Sequence, residues 1–143
     1  MAIHDIESPL QPTVALAAAI SSNTNTDGAI LDTANFEMGL VFYLDVIART
    51  DGAYELQIFE SDDSSMAGAT QIIAPKLLPT TLSTNSITAP TAAVSQGTIL
   101  SKIGVYANRR YVRPRIVSTT VTTGATIRVI AVQKGEQTPV PTS

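Results

Sequence analysis

The sequence predicts an all-β fold, a two-sheet antiparallel β-sandwich of jelly-roll type with extended N- and C-terminal arms. Three observations predict it. About seven or eight short segments carry strand patterns, either a period-two alternation or a brief apolar run. Turn formers such as Asp51-Gly52 and Thr123-Gly124 recur between them. No stretch repeats apolar residues at the three-and-four spacing of an amphipathic helix. An immunoglobulin-like sandwich would be marked by a cysteine pair and a core tryptophan, and the chain has neither.

The elements follow in order. Residues 1–13 contain Pro9 and Pro12 and no periodicity, which predicts an extended N-terminal arm. The sandwich domain spans residues 14–132. Residues 14–20 are small and apolar; their length and the polar cluster after them favour a buried strand over a short helix. Residues 21–28 (SSNTNTDG) read as a loop ending in Asp-Gly, and residues 29–31 as a further short strand. Residues 38–48 are the clearest central strand. Leu40, Phe42, Leu44 and Val46 fall on one face, Val41, Tyr43 and Ile47 on the other. Apolar character on both faces predicts burial on both, by the core and by a neighbouring molecule.

Asp51-Gly52 is the strongest hairpin signal in the chain. Residues 53–61 alternate, with Tyr54, Leu56 and Ile58 inward and Glu55 and Gln57 outward. Residues 61–69 form a polar loop and residues 70–74 a short strand. Residues 75–96 are a long excursion rich in Thr, Ser and Pro, which predicts a segment ordered by a partner. Residues 98–106 form a strand with Ile99, Ile103 and Val105 on one face, ended by Ala107-Asn108. Residues 110–119 form another, in which Pro114 marks an edge or a bulge. Residues 125–132 form the last, with Ile127, Val129 and Ala131 inward and Arg128 outward. Residues 133–143 are a tail without a core pattern. Both tails and residues 75–96 are expected to pack on other subunits.

The bulk numbers bound the function. At 143 residues the chain makes one domain with a core of its own. Having no Cys, it has no disulfides, zinc fingers, Fe–S clusters or cysteine nucleophiles, and it fits a reducing compartment. Charged residues are only 15%, which suits a β protein that buries much of its surface in an assembly. The net charge of −3 disfavours nucleic acid and anionic membrane as partners. Residues 1–12 carry Asp5 and Glu7 rather than the order of a targeting signal, and residues 14–20 are too short to span a bilayer. The chain is expected to be soluble and unprocessed.

Four of the nine basic residues crowd into one seven-residue stretch: Arg109, Arg110, Arg113 and Arg115. Strand alternation puts Arg109, Tyr111, Arg113 and Arg115 on one face, and Val112, Pro114 and Ile116 on the other. Such a face can grip carboxylates of another protein, because guanidinium groups pair with carboxylates in a bidentate fashion. Arg109, Tyr111, Arg113 and Arg115, with Val41, Tyr43 and Ile47 of the central strand, are therefore the candidate protein-interface residues. The alternative is that the arginines solubilise the sheet or pair within the domain, with Glu55 or Glu60 for example.

Chemistry finds little to work with. The one histidine, His4, lies in the predicted arm, so no imidazole is positioned as a base or metal ligand. Glu60, Asp62 and Asp63 read as a solvated loop cluster. Asn23-x-Asn25-x-Asp27-Gly28 echoes a calcium loop, but its twelfth position is Ala34 rather than Glu, so it reads as turn chemistry. No phosphate-cradling glycine motif occurs, and three Phe, four Tyr and no Trp offer no stacking platform for nucleic acid. The expectation is a non-enzymatic protein with no catalytic residues, no cofactor and no metal.

The order of features resembles the phage capsid cement, or head decoration, proteins of the Bbp16-like type. Residues 15–24 (ALAAAISSNT) lead through a glycine-containing loop into the apolar strand 39–46. Residues 54–60 run into Asp62-Asp63-Ser64, and a Thr- and Ser-rich stretch follows. Arg110-Tyr111-Val112-Arg113 then begins a strand that turns through Thr123-Gly124-Ala125 into the last one. The resemblance implies a jelly-roll domain on the outer surface of the capsid, made in the host cytoplasm, that clamps neighbouring capsomers and self-associates. The partners it implies are the major capsid protein and further copies of the chain, a homodimer before a homotrimer since two-fold symmetry is commonest. The alternatives are another virion β-sandwich, such as a tail or fibre-attachment module, or a carbohydrate-binding module.

Overall fold

The computed structural model describes residues 10–34, 36–72, 77–78, 86–88 and 101–135. Among the described residues there are eleven strands: β1 (Leu10–Ile20), β2 (Asn25–Asp27), β3 (Leu31–Asp32), β4 (Phe36–Arg49), β5 (Ala53–Ser61), β6 (Thr70–Gln71), β7 (Leu77–Leu78), β8 (Ser86–Thr88), β9 (Ser101–Tyr106), β10 (Tyr111–Thr119) and β11 (Ala125–Gly135). No helix occurs among the described residues. One sheet has the order β1-β11-β4-β9-β7; the other has β2-β10-β5-β6, with β3 also on β10 and β8 also on β5. Every pairing is antiparallel. Counting β2 with β3 as one interrupted strand, the sheets read β1-β11-β4-β9 and β2/β3-β10-β5-β6, the jelly-roll order, with the first strand beside the last.

The period-two pattern builds the core. From β4, Leu40, Phe42, Leu44 and Val46 point inward at 0–1% exposure. Across the sandwich they meet Tyr54, Leu56 and Ile58 of β5 and Val112 and Ile116 of β10, which are as deeply buried. Ile127, Val129 and Ala131 of β11 and Ile103 and Val105 of β9 complete the layer. Each large side chain removed from water contributes roughly 1.5–3 kcal/mol, and this stripe is what holds the two sheets together.

Four expectations about where elements begin and end are corrected. Residues 10–13, expected in the N-terminal arm, pair in register with residues 131–134 of β11. Gln133 to Gly135, expected in the C-terminal tail, extend β11; residues 1–9 and 136–143 lie outside the described residues. Proline concealed the first of these, because an edge strand such as β1 tolerates Pro12 and needs no apolar alternation. Residues 21–28 are not all loop: Asn25–Asp27 pairs with β10. Within the excursion 75–96, Leu77–Leu78 pairs with β9 and Ser86–Thr88 with β5, so these pieces join the chain's own sheets. The rest of the excursion, His4 and Ile99 lie outside the described residues.

Asp51-Gly52 does not close a hairpin. β4 and β5 lie in different sheets, so the turn is a corner that carries the chain across the sandwich. Turn chemistry encodes a reversal, but long-range pairing decides which sheet the next strand joins. Pro114 is neither at an edge nor in a bulge. It lies in β10, which runs between β5 and the β2/β3 pair. The proline carbonyl accepts a hydrogen bond from Gly28 N–H at 2.8 Å. Its missing N–H faces the same side, where the partner strand is interrupted between Asp27 and Leu31. That break removes the ladder bond proline could not make. Gly28 is needed at the break, since a Cβ there would press on the Ala15 carbonyl and the Pro114 ring.

Candidate interaction surfaces

The outward face of the β10 sheet carries the arginines as alternation requires. Arg113 and Arg115 sit two residues apart, and both reach one carboxylate, that of Asp27 at the end of β2. Arg115 grips it in bidentate fashion, Nε to Oδ1 at 2.5 Å and Nη2 to Oδ2 at 3.2 Å, while Arg113 Nη2 lies 3.1 Å from Oδ2. The Arg115 hydrogen bond is the main reason that the Asp27 carboxyl titrates below its usual range. Arg115 also lies 4.6 Å from the centre of the Phe59 ring, a cation–π contact across the β10–β5 ladder. Arg110 holds Asp32 through Nε and Nη2 at 2.9 and 2.8 Å and stacks on Tyr111 at 5.2 Å. That pair, with the Ala34 N–H, lowers the Asp32 pKa to about 2. Arg109 is held loosely, 3.7 Å from Asp62.

All four arginines thus have an aspartate of their own chain, on β2, β3 or the β5–β6 loop. Glu55 and Glu60 are not those partners. Glu60 is 3% exposed and accepts the Asn108 N–H at 2.7 Å, so it belongs to the β9–β10 corner rather than to a solvated acidic cluster. Sequence reasoning missed Asp27 and Asp32 because their nearness to β10 is a matter of tertiary pairing. The one local hint was the position of Asp27 in a turn-forming run.

A second set of polar contacts pins the corners. The Asp51 carboxylate accepts N–H groups of Thr122, Thr123 and Gly124 at 3.1, 2.8 and 2.9 Å. These donors hold its pKa below the usual carboxylate range. Tyr54, 1% exposed, donates its hydroxyl to the Asp51 carbonyl at 2.9 Å, and Arg49 donates to the Gly52 carbonyl. Burial, then the Asp51 charge, raises the Tyr54 pKa. Asp51 therefore ties the β4–β5 corner to the β10–β11 corner.

The outward face of the other sheet differs in kind. Cross-strand register aligns Val14, Ile130, Tyr43 and Lys102 in one row across β1, β11, β4 and β9. The next row is Pro12, Val132, Val41 and Gly104. Val14, Ile47 and Tyr106 are 54, 51 and 52% exposed, and Val41, Tyr43, Ile130 and Val132 are half-buried. Asp45 and Arg128, also cross-strand neighbours, pair at 2.6 Å. Val41, Tyr43 and Ile47 thus lie on the outer surface of β4 as expected, joined by Val14, Ile130 and Val132, which the sequence reading did not single out.

A shallow cavity of about 200 Å³ lies at one end of the sandwich, lined by Ala19, Ser21, Arg49 and Thr123 among others. It is smaller than usual small-molecule sites. Among the described residues no three His, Cys, Asp or Glu side chains cluster in a way that could hold a metal ion.

No protein-family model matches this chain, and no curated protein matches it. A solved structure, that of the PBSX exported protein XepA, is similar to it, with a TM-score of 0.59 over 93% of this chain and 15% sequence identity. The chain spans 40% of the length of that protein. At this identity the likeness is one of fold: the chain is an all-β sandwich of two antiparallel sheets.

Proposed function

We propose that this protein is a non-enzymatic phage structural protein that decorates the capsid and stabilises it by clamping neighbouring capsomers. The observation that carries the reading is the fold shared, over nearly the whole chain, with a protein of the phage PBSX. The distribution of chemistry supports it: what the described residues offer is broad sheet faces, one arginine-rich and one apolar. Repetition of a modest contact over many symmetric capsid sites supplies avidity without a deep pocket. The major capsid protein is the proposed partner, and the outer surface of the virion the proposed location. In the test, purified protein is added to phage heads lacking it, and the heads are sedimented and heated. Saturable co-sedimentation and a higher temperature of head disruption are expected; protein that stays in the supernatant removes the reading.

The word exported in the name of the PBSX protein favours one second reading, a phage-encoded β-sandwich that acts outside the host cell rather than on the head. Finding the protein in the culture medium before lysis, and not on purified virions, would favour it.

A further inference from the structure

We propose that Asp27-Gly28 is a site of spontaneous backbone rearrangement to isoaspartate that the folded chain holds shut, with Arg113, Arg115 and the Pro114 carbonyl keeping the reacting groups apart. The proposal stands apart from the capsid reading, since it rests only on the bonds that β10 makes to the end of β2.

The chemistry needs nothing but the chain and water. The glycine nitrogen attacks the side-chain carboxyl carbon of the aspartate before it, and a succinimide ring forms. The carboxyl hydroxyl and the N–H proton leave together as water. The ring then takes up a water. Opening at the side-chain carbonyl restores aspartate; opening at the main-chain carbonyl leaves isoaspartate, whose backbone runs through the side chain and is one methylene longer. Asp-Gly is especially open to this reaction, because glycine has no side chain to shield its nitrogen. The sequence holds Asp-Gly at residues 27–28 and 51–52, and no Asn-Gly.

Burial does not protect Asp27, whose side chain is 37% exposed. Bonds do. Arg115 fixes both carboxylate oxygens, Nε to Oδ1 at 2.5 Å and Nη2 to Oδ2 at 3.2 Å, and Arg113 Nη2 lies 3.1 Å from Oδ2. The carboxyl carbon cannot swing onto the backbone without breaking these contacts. Gly28 must give up its N–H proton to react, and that N–H is donated to the Pro114 carbonyl at 2.8 Å. Pro114 lies between the two arginines, so three successive residues of β10 restrain both the carboxyl and the nitrogen. The ionised form is also the slower one, since a neutral carboxyl loses hydroxyl far more readily than a carboxylate loses oxide. The Arg115 hydrogen bond is the main cause that keeps Asp27 ionised below its usual range.

The other Asp-Gly is restrained by different groups. The Asp51 carboxylate accepts the N–H groups of Thr122, Thr123 and Gly124, and Arg49 holds the Gly52 carbonyl. None of these is an arginine of β10, so residue 51 serves as an internal reference for residue 27.

The test incubates the full chain at neutral pH and 37 °C and follows isoaspartate at each position by peptide mapping, since chromatography with mass spectrometry separates the isomeric peptides. The folded parent should rearrange at residue 27 at least ~10-fold more slowly than the same chain unfolded in urea. Arg113→Ala with Arg115→Ala should raise the rate at residue 27 by at least ~5-fold and leave residue 51 at the parent rate, with the far-ultraviolet circular dichroism of the parent retained. Should that variant not fold, Arg115→Lys keeps the charge, loses the bidentate grip and should give a smaller rise at residue 27 alone. A folded parent that rearranges at residue 27 as fast as the unfolded chain overturns the proposal. So does a folded arginine variant whose rate at residue 27 is unchanged, or whose rates at residues 27 and 51 rise together, since a joint rise reports general loosening.

Discussion

At the scale of residues, aspartates do most of the organising. Asp27 serves two arginines at once, and removing it leaves two guanidinium groups with roots roughly 7 Å apart on one strand. Asp27→Ala is expected to lower stability by about 1 kcal/mol, a modest value because the site is partly open to solvent and exposed pairs are worth little. Chemical denaturation of the parent and variant checks this. The same pairing changes what an arginine experiment should show. Arg113→Ala with Arg115→Ala should lower the melting temperature, because both side chains hold β2 against β10, and any loss of head binding should come together with that destabilisation.

Acid provides a second residue-scale test. Asp27, Asp32 and Asp51 are all held below the ordinary carboxylate value, with Asp32 at about 2. A depressed folded pKa contributes stability that is complete above the unfolded value of about 3.9 and is lost as pH falls through the folded value. The melting temperature should therefore stay level from pH 7 to about 5 and fall between about 4 and 2. A fall that begins at pH 6 would point to other groups.

At the scale of elements, β4 is the axis of its sheet and β10 the axis of the other. Phe42 has no exposed surface and faces the opposite sheet, so Phe42→Ala should cost about 3–5 kcal/mol, measured by denaturant midpoint at an unchanged slope. The corners are as demanding as the strands. Gly124 takes a φ of +106°, and a Cβ there would collide with the Ile20 backbone. Gly124→Ala should destabilise by more than the ~1 kcal/mol of an ordinary glycine replacement, because strain and collision add.

At the scale of the molecule, the first strand pairs with the last along its whole length. A fold whose contacts span the sequence closes long loops before it gains sheet pairing, so folding is slow. Refolding by stopped flow should take milliseconds to seconds, as for other β-sandwiches. Deleting residues 125–135 removes the partner of both β1 and β4 and should abolish the cooperative transition rather than trim it.

The sequence by itself determined the all-β class, the inward stripe of β4, β5 and β11, and the outward line of Tyr111, Arg113 and Arg115, whereas Arg109, expected on the same line, lies in the bend before β10. It could do so because a two-residue period is a local property: each side chain's face follows from its neighbours in the chain. The tertiary structure alone decided what those faces meet. That Asp51-Gly52 is a corner and not a hairpin, that Pro114 sits in a central strand beside a broken partner, that Asp27 and Asp32 neutralise the arginines, and that Val14, Ile130 and Val132 join Val41 and Tyr43 in one surface all depend on register between strands far apart in sequence. The physical reason is that strand pairing is set by the burial of both sheets together, and no local pattern records which distant strand supplies the partner.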